Sequence, residues 1–405
     1  MGNSYDRGRM NKGMNRDKLR GIQEILKEMT DKAYVSGVSC MVIQNGEEQC
    51  YFEAGYRDID AGQKMTRDTI HRLYSMTKPV TAAAVMLLLE EGKIDLLDQV
   101  SEYLVGFRNQ YVIERGVIVP VKQPMTIQNL LNMTSGLVYL GESNPAEVRC
   151  EKLIEEVKSK LLTDHAMTTV EIANRAGKLP LAFMPGTSWQ YGLSADVLGA
   201  IVEVVSGMRF GEFLAKRIFE PLGMNDTAFY VPQDKQERLA KVYRQTERGL
   251  VKETGCHLGI QNKMELPPAF ESGGAGLCST IDDYAKFTQM LLGQGSYRGT
   301  HIMAPQTVKF MTTAHVTPAQ QRGVETWESL AGYTYGNLMR IMTDPGAGAG
   351  FGSVGEYGWD GWLGTYMMND PAHNLTMLIM QQRADSGTTA YTRRIRNVMF
   401  ASLDE

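Results

Sequence analysis

The sequence predicts an α+β fold of the α/β sandwich type: an antiparallel sheet flanked by terminal helices, with a mostly helical lobe inserted. Segments with strand-like patterns lie near both ends of the chain, whereas the middle shows helical spacing of apolar residues. The 405 residues are enough for two lobes around a large core. We therefore expect a flexible tail over 1–16, a sheet domain formed by 17–70 and 315–405, and a mainly helical domain over 71–314.

The sheet domain begins with a predicted helix and a hairpin. Residues 17–33 place Ile22, Ile25 and Leu26 on one helical face. Two extended segments then flank Asn45-Gly46, a dipeptide that favours a tight turn between antiparallel strands. At the other end, the predicted elements are strands over 333–342, 356–361, 362–370 and 374–382, followed by a helix from Tyr391.

The middle of the chain predicts a series of helices. They cover 76–92, 126–133, 147–162, 168–177, 193–206, 210–219 and 281–292. The stretch 231–270 is polar and poorly periodic, and we expect it to be a long excursion on the surface. A functional site is expected at the seam between the two lobes.

Composition excludes several classes of protein. Lys and Arg total 42 and Asp and Glu total 46, and this balance favours neither a nucleic acid nor a membrane partner. Five cysteines at irregular spacings predict free thiols and no zinc site. The polar N-terminus has no apolar signal core, and the run Val80–Leu89 is shorter than the roughly 20 residues of a spanning helix, so we expect a cytoplasmic protein. Gly350, Gly352 and Gly355 fit G-x-G-x-x-G, but no helix is predicted after them.

The most informative segment contains Ser75 and Lys78 at the start of a strongly helical run. Three residues apart, their side chains share one face of the first turn, so the amine can accept the proton of the hydroxyl nucleophile. The helix N-terminus favours negative charge near Ser75 and disfavours a protonated Lys78. Alternatively, Ser75 caps the helix and Lys78 is a solvated charge, because a Ser-x-x-Lys spacing also arises by chance.

Two further segments carry candidate residues. Tyr191 precedes the helix that begins near Leu193, and a phenol near a cationic lysine is expected to ionise more easily and act as a general base. Glycines 358, 361 and 364 interleave with aromatic residues, which indicates close approach of the backbone to another group. The alternatives are an ordinary half-buried tyrosine and a β-bulge or tight turn.

These segments together resemble a known superfamily. Ser75-Met76-Thr77-Lys78, Tyr191-Gly192-Leu193 and Trp359-Asp360-Gly361 are similar, in order and separation, to the three catalytic elements of the serine β-lactamase-like superfamily, which has the class C β-lactamase and penicillin-binding-protein fold. The variants most resemble the family VIII carboxylesterases and are also similar to the related fungal-type acyltransferases. The flanking segments LLNMTSGL, PLGMNDTAF and SGGAGLCSTIDDYAKF look like landmarks of the same superfamily, so the resemblance spans roughly residues 20 to 400.

The resemblance implies a role for each matching residue. Ser75 would be the acylated nucleophile of the helical domain, and Lys78 and Tyr191 would share the base and acid duties. The backbone N–H groups of Ser75 and Trp362 would form the oxyanion hole. The residues expected to contact substrate are Tyr74, Met76, Met133, Leu193, Trp359, Asp360 and Gly361. The resemblance implies neither a metal nor an organic cofactor.

Two departures from the superfamily pattern predict the substrate class. Trp359 and Leu193 stand where β-lactamases and D-Ala peptidases usually have Lys and Asn. Without the cation that would pair with a substrate carboxylate, the site should prefer a small uncharged ester. The protein would then be a serine hydrolase that cleaves this ester through an acyl-enzyme. The alternatives are acyl transfer from the same intermediate, β-lactamase or D-Ala-type carboxypeptidase activity, and a ligand-binding protein without catalysis. The oligomeric state does not follow from the sequence.

Overall fold

The computed structural model describes residues 13–403. Residues 1–12, and with them most of the tail predicted over 1–16, lie outside the described residues. No helix between residues 13 and 403 is both long and apolar enough to cross a membrane.

One antiparallel sheet of eight strands joins the two ends of the chain, and it confirms the predicted fold class. The strand order is β12-β13-β14-β15-β16-β1-β2-β3, with β1 between β16 and β2. The strands of this sheet are β1 (Gly37–Gln44), β2 (Glu47–Asp58), β3 (Gln63–Lys64), β12 (Tyr333–Gly336), β13 (Met339–Met342), β14 (Tyr357–Asp360), β15 (Tyr366–Asp370) and β16 (Leu375–Gln381). The short two-stranded pairs are β4 (His71–Arg72) with β9 (Cys278–Ser279), β5 (Tyr111–Glu114) with β6 (Val117–Pro120), β7 (Val242–Thr246) with β8 (Gly249–Glu253), and β10 (Ser296–Tyr297) with β11 (Thr300–His301).

Helices occupy most of the segment between β4 and β12 and both ends of the described chain. The α-helices are α1 (Arg16–Asp31), α2 (Thr77–Glu90), α3 (Val100–Tyr103), α4 (Ile127–Leu131), α5 (Pro145–Lys160), α6 (Thr169–Ala176), α7 (Ser194–Ser206), α8 (Phe210–Leu214), α9 (Glu220–Leu222), α10 (Ile281–Leu292), α11 (Pro305–Met311), α12 (Pro318–Val324) and α13 (Ala390–Ala401). A π-helical turn over Ala215–Phe219 joins α8 to α9. The 3₁₀ turns are Tyr74–Met76, Val105–Phe107, Gln233–Arg238 and Glu328–Leu330.

The sheet has a hydrophobic core on each face. Successive side chains of a strand point to opposite faces, so Met41 packs with the helical lobe while Cys40 and Val42 pack with the terminal helices α1 and α13. Every residue of β1 and β16 is buried. This two-sided burial explains why these strands are mostly apolar on both faces, with a few buried polar side chains such as Ser39 and Thr376.

Several predicted elements differ in the structure. The strand predicted over 333–342 is a hairpin, because Asn337 and Leu338 adopt φ of 48° and 65° and turn the chain between β12 and β13. The strand predicted over 362–370 begins only at Tyr366, after a turn. The 231–270 stretch is not solely a surface excursion, since Val242 and Tyr243 of β7 are buried. The hairpin β5–β6 was not predicted at all. The domain boundaries at 70/71 and 314/315 stay a prediction.

Candidate active site

Ser75 lies in a 3₁₀ turn that leads directly into α2. Twelve of the fourteen residues of α2 are buried, including Lys78, as expected for a helix that is apolar on nearly all sides. Pro79 fits here because the first helical turn needs no N–H from it. The nucleophile candidate therefore stands at the start of a rigid central helix.

Tyr74, the residue before Ser75, has an unusual backbone conformation. Its φ of 45° lies in the left-handed region, which costs a bulky residue about 1–3 kcal/mol. The ring is buried and packs edge-on against Trp362 with centroids 4.9 Å apart. Tertiary packing thus holds the turn that presents Ser75 in a conformation that the local sequence disfavours.

Lys78 is placed to accept the proton of Ser75. Its Nζ lies 3.1 Å from Ser75 Oγ, donates to the carbonyl oxygen of Gly274 at 2.8 Å, and is 3.1 Å from the hydroxyl of Tyr139. Burial lowers the Lys78 pKa to about 7, against the opposing effect of the Asp196 and Asp360 carboxylates. A large fraction of the amine is therefore neutral near pH 7, and its lone pair can receive the hydroxyl proton.

Asp196 is a buried carboxylate near this lysine. Ser272 Oγ donates to its Oδ1 at 2.5 Å and the backbone N–H of Gly274 does so at 3.1 Å. These bonds fix the Gly274 carbonyl that accepts from Lys78. Burial raises the Asp196 pKa, while the hydrogen bonds and Lys78 oppose the rise.

Tyr191 lies near Ser75 and Lys78. Trp359 Nε1 donates to the Tyr191 hydroxyl at 3.0 Å, and the Ser75 side chain is close enough to act on the Tyr191 pKa, which it lowers. Lys78 Nζ lies 4.4 Å from the centre of the tyrosine ring. The expectation that Tyr191 ionises easily is wrong, because burial raises its pKa above the ordinary value. The phenol keeps its proton, and of the two groups Lys78 is the one with a free lone pair near pH 7.

Aromatic rings account for the partial burial of Tyr191. Its ring centre lies 4.9 Å from that of Trp327, 5.4 Å from Trp359 and 5.5 Å from Tyr139. Trp327 is itself partly exposed, so this aromatic wall reaches from the core to the surface. Apolar walls of this kind disfavour the phenolate and strengthen the local hydrogen bonds.

The turn after β14 approaches the nucleophile segment closely. A side chain at Gly361 would lie 2.3 Å from the carbonyl oxygen of Leu73, so the interpretation that glycine is needed for close approach fits this position. Thr365 Oγ1 also donates to the Leu73 carbonyl at 2.9 Å. Trp362 follows Gly361, and among residues 13–403 no acceptor is hydrogen-bonded to its backbone N–H.

The remaining residues expected to contact substrate occupy different environments. Trp359 is buried and bonded to Tyr191, whereas Asp360 is paired with Arg340 through Oδ1 and Nη1, 3.2 Å apart. Leu193 caps α7 and is buried. Met76 and Met133 are fully buried in the main core, so neither lines an open pocket in this conformation.

The sequence interpretation missed four residues that surround Lys78, namely Tyr139, Asp196, Ser272 and Gly274. A signal was present for three of them, since Tyr139 lies two residues beyond LLNMTSGL, and Ser272 and Gly274 lie in SGGAGLCSTIDDYAKF. Within residues 13–403, no group of three His, Cys, Asp or Glu side chains is arranged to hold a metal ion.

Comparison with known proteins identifies the family of the chain. A model of the Beta-lactamase family matches residues 22–398. The chain belongs to this family. Relatives include Protein Rv1367c of Mycobacterium tuberculosis, 34% identical over 377 residues and 90% of both chains, and Esterase EstB of Burkholderia gladioli, 27% identical over 391 residues, 90% of this chain and 91% of the relative.

Solved structures share the Beta-lactamase family fold. EstCE1, described as a hydrolase with promiscuous acyltransferase activity, has a TM-score of 0.79 at 24% identity, over 95% of this chain and 99% of its own. The predicted relationship to the serine β-lactamase and penicillin-binding-protein superfamily is thereby confirmed.

Proposed function

We propose that the chain is a serine hydrolase that cleaves uncharged carboxylic esters through an acyl-enzyme on Ser75. The observation that carries the proposal is the 3.1 Å separation of Ser75 Oγ from Lys78 Nζ, a fully buried amine. A lysine surrounded by apolar side chains serves as a base because burial disfavours its charged form. The relative EstB is described as an esterase, and this supports the choice of substrate.

In the acylation step, Lys78 takes the hydroxyl proton as Ser75 Oγ forms a bond to the ester carbonyl carbon. The carbonyl oxygen becomes an oxyanion that the backbone N–H groups of Ser75 and Trp362 stabilise. Loss of one such donor commonly costs about 3 kcal/mol. The C–O bond to the alcohol then breaks, and the alcohol leaves with a proton from the Tyr191 and Lys78 pair.

Water completes the cycle by the same route. Lys78, neutral again, accepts a proton from water as the water oxygen attacks the acyl carbon. Ser75 Oγ then recovers a proton from the Lys78 and Tyr191 pair when the carboxylic acid leaves. Tyr191 holds its proton because of its raised pKa, so its part is that of a donor and relay. Trp359 orients the phenol through the indole N–H.

Two features support an uncharged substrate. Trp359 offers no positive charge to a carboxylate, and Arg340 is already paired with Asp360. The aromatic wall around Tyr191 favours an apolar group beside the reacting carbonyl. Penicillins and peptide termini carry a carboxylate and would lack its partner here.

Intact-protein mass after exposure to a panel of chromogenic short-chain esters tests the proposal. We expect a mass increase equal to the acyl group, located on Ser75 by peptide mapping, and turnover that Ser75→Ala abolishes. A matched control is Ser296→Ala, which removes a serine hydroxyl from a surface hairpin. Full turnover by Ser75→Ala would contradict the mechanism.

Acyl transfer is the second candidate, since EstCE1 combines hydrolase and acyltransferase activity and has the same fold. The acyl-enzyme would be identical, with an alcohol or amine replacing water in the second step. Adding alcohols at increasing concentration and measuring the ratio of new ester to free acid separates the two functions. Efficient cephalosporin hydrolysis would instead favour β-lactamase activity, and a folded protein whose Ser75 never reacts with a fluorophosphonate would favour a binding role.

A further inference from the structure

Three rings from distant parts of the sequence pack against one another beside the turn that carries Ser75. His257 lies on Trp362 with ring centres 3.9 Å apart and an interplanar angle of 14°. Trp362 in turn meets Tyr74 at 4.9 Å, and Tyr74 and His257 are 5.8 Å apart. His257 belongs to the stretch that follows β8, which the sequence interpretation treated as a surface excursion.

The hairpin β7–β8 fastens this stretch to the end of the sheet. The backbone N–H of Tyr243 donates to the Gln382 carbonyl at 3.0 Å, and that of Ala384 donates to the Tyr243 carbonyl at 2.8 Å. Arg244 pairs with Glu253 across the hairpin and with Asp385. The two backbone hydrogen bonds of Tyr243 therefore hold the hairpin without any contribution from the three rings.

The Trp362 indole is held along its edge as well as on its face. Its Nε1 donates to Asp385 Oδ1 at 2.6 Å, and Asp385 is the carboxylate that pairs with Arg244. His257 covers the ring face. An indole with a fixed edge and a covered face has little freedom to rotate, and this restricts the backbone of the same residue.

The three rings connect the two chain segments that would form the oxyanion hole. Tyr74 immediately precedes Ser75, and Trp362 carries the second backbone N–H assigned to the oxyanion hole. The two chain segments that must supply converging N–H groups are thus joined through their rings. Oxyanion stabilisation depends on donors that are fixed before the reaction, within a few tenths of an ångström.

We propose that His257 is a positioning residue for the oxyanion hole, whose imidazole holds the Trp362 indole against Tyr74 and so aims the Trp362 backbone N–H at the oxygen of the reacting carbonyl. This inference rests on the proposed function. Burial lowers the pKa of His257 to about 4, so the stacked imidazole is neutral at pH 7. Another flat neutral ring should therefore replace it.

The test compares His257→Ala, His257→Leu and His257→Phe in the full chain, with His301→Ala as a control that removes an exposed imidazole. Steady-state constants are measured for a chromogenic ester and for the matching thionoester, whose sulfur fits an oxyanion hole poorly. We expect the Ala and Leu variants to lose about tenfold in kcat with a nearly unchanged KM, because a donor is misaligned and not removed. The ratio of ester to thionoester turnover should fall by a similar factor.

The Phe variant should regain most of both losses, and His301→Ala should behave as the wild type. Unchanged kcat and unchanged ratio in the Leu variant would overturn the inference. So would a Phe variant that folds with the wild-type Tm but stays as slow as the Leu variant. Failure of the wild type to form a Ser75 acyl-enzyme would instead overturn the proposed function together with this inference, and intact mass distinguishes that case.

Discussion

Activity should rise with pH through the titration of Lys78. The amine must be neutral to accept the Ser75 proton, and its pKa is about 7. The neutral fraction is then about 0.09 at pH 6 and about 0.91 at pH 8, so kcat/KM should increase roughly tenfold between these values and level off above them. A fully exposed lysine would place this rising limb of the pH–rate profile near its ordinary pKa.

The groups near Ser75 make this limb specific to Lys78. Burial raises the Tyr191 pKa and lowers that of His257 to about 4, so neither titrates between pH 6 and 8. Asp196 raises the Lys78 pKa, so Asp196→Asn should move the limb to lower pH. That variant keeps an oxygen able to accept from Ser272 and Gly274.

The assay is initial-rate ester hydrolysis at constant ionic strength from pH 5.5 to 9, with Ser75→Ala as the blank for hydroxide-driven hydrolysis. Lys78→Met should lose about 10²–10⁴-fold of the rate, together with the limb. The reasoning is refuted if the wild-type profile is flat across this range, or if Lys78→Met keeps a limb with the same midpoint.

Three further predictions follow from the same contacts. Lys78→Met should raise the free energy of unfolding at pH 7, because burial of this amine costs about 4 kcal/mol there, while leaving the Gly274 carbonyl without its donor offsets about 1–3 kcal/mol of the gain. The folded pKa lies below the unfolded one, so the gain shrinks as pH rises toward the ordinary lysine value. Urea unfolding measured at pH 7 and pH 10 checks this, and a loss of stability at both pH values would contradict it. Trp359→Phe removes the donor to Tyr191 and leaves a cavity in the core, so it should lower kcat about tenfold and also lower Tm. Equal kcat would show that the indole N–H is dispensable. Gly361→Ala places a methyl group 2.3 Å from the Leu73 carbonyl oxygen and should lower both Tm and kcat. The control is Glu47→Ala, at an exposed position beside Gly46, which should change neither.

Local pattern was enough to predict most helices and the outer limits of the sheet. The helix over 193–206 is Ser194–Ser206 and the helix over 281–292 is Ile281–Leu292, because apolar spacing and caps act over a few residues. The prediction of one continuous strand over 333–342 was wrong, because two consecutive residues with positive φ break it and neither of them is a glycine or a proline.

Identity and short spacing were enough to predict that Ser75 and Lys78 lie within one helical turn, and the resemblance to the superfamily implied that Trp359 stands where a cation is usual. Tertiary structure alone decided that Lys78, and not Tyr191, is the group that loses its proton near pH 7. The desolvation that lowers one pKa and raises the other is summed over side chains from the whole helical lobe and the sheet. It also decided that Gly274 and Tyr139 contact Lys78 and that His257 lies on Trp362, since such contacts join residues that no local periodicity relates.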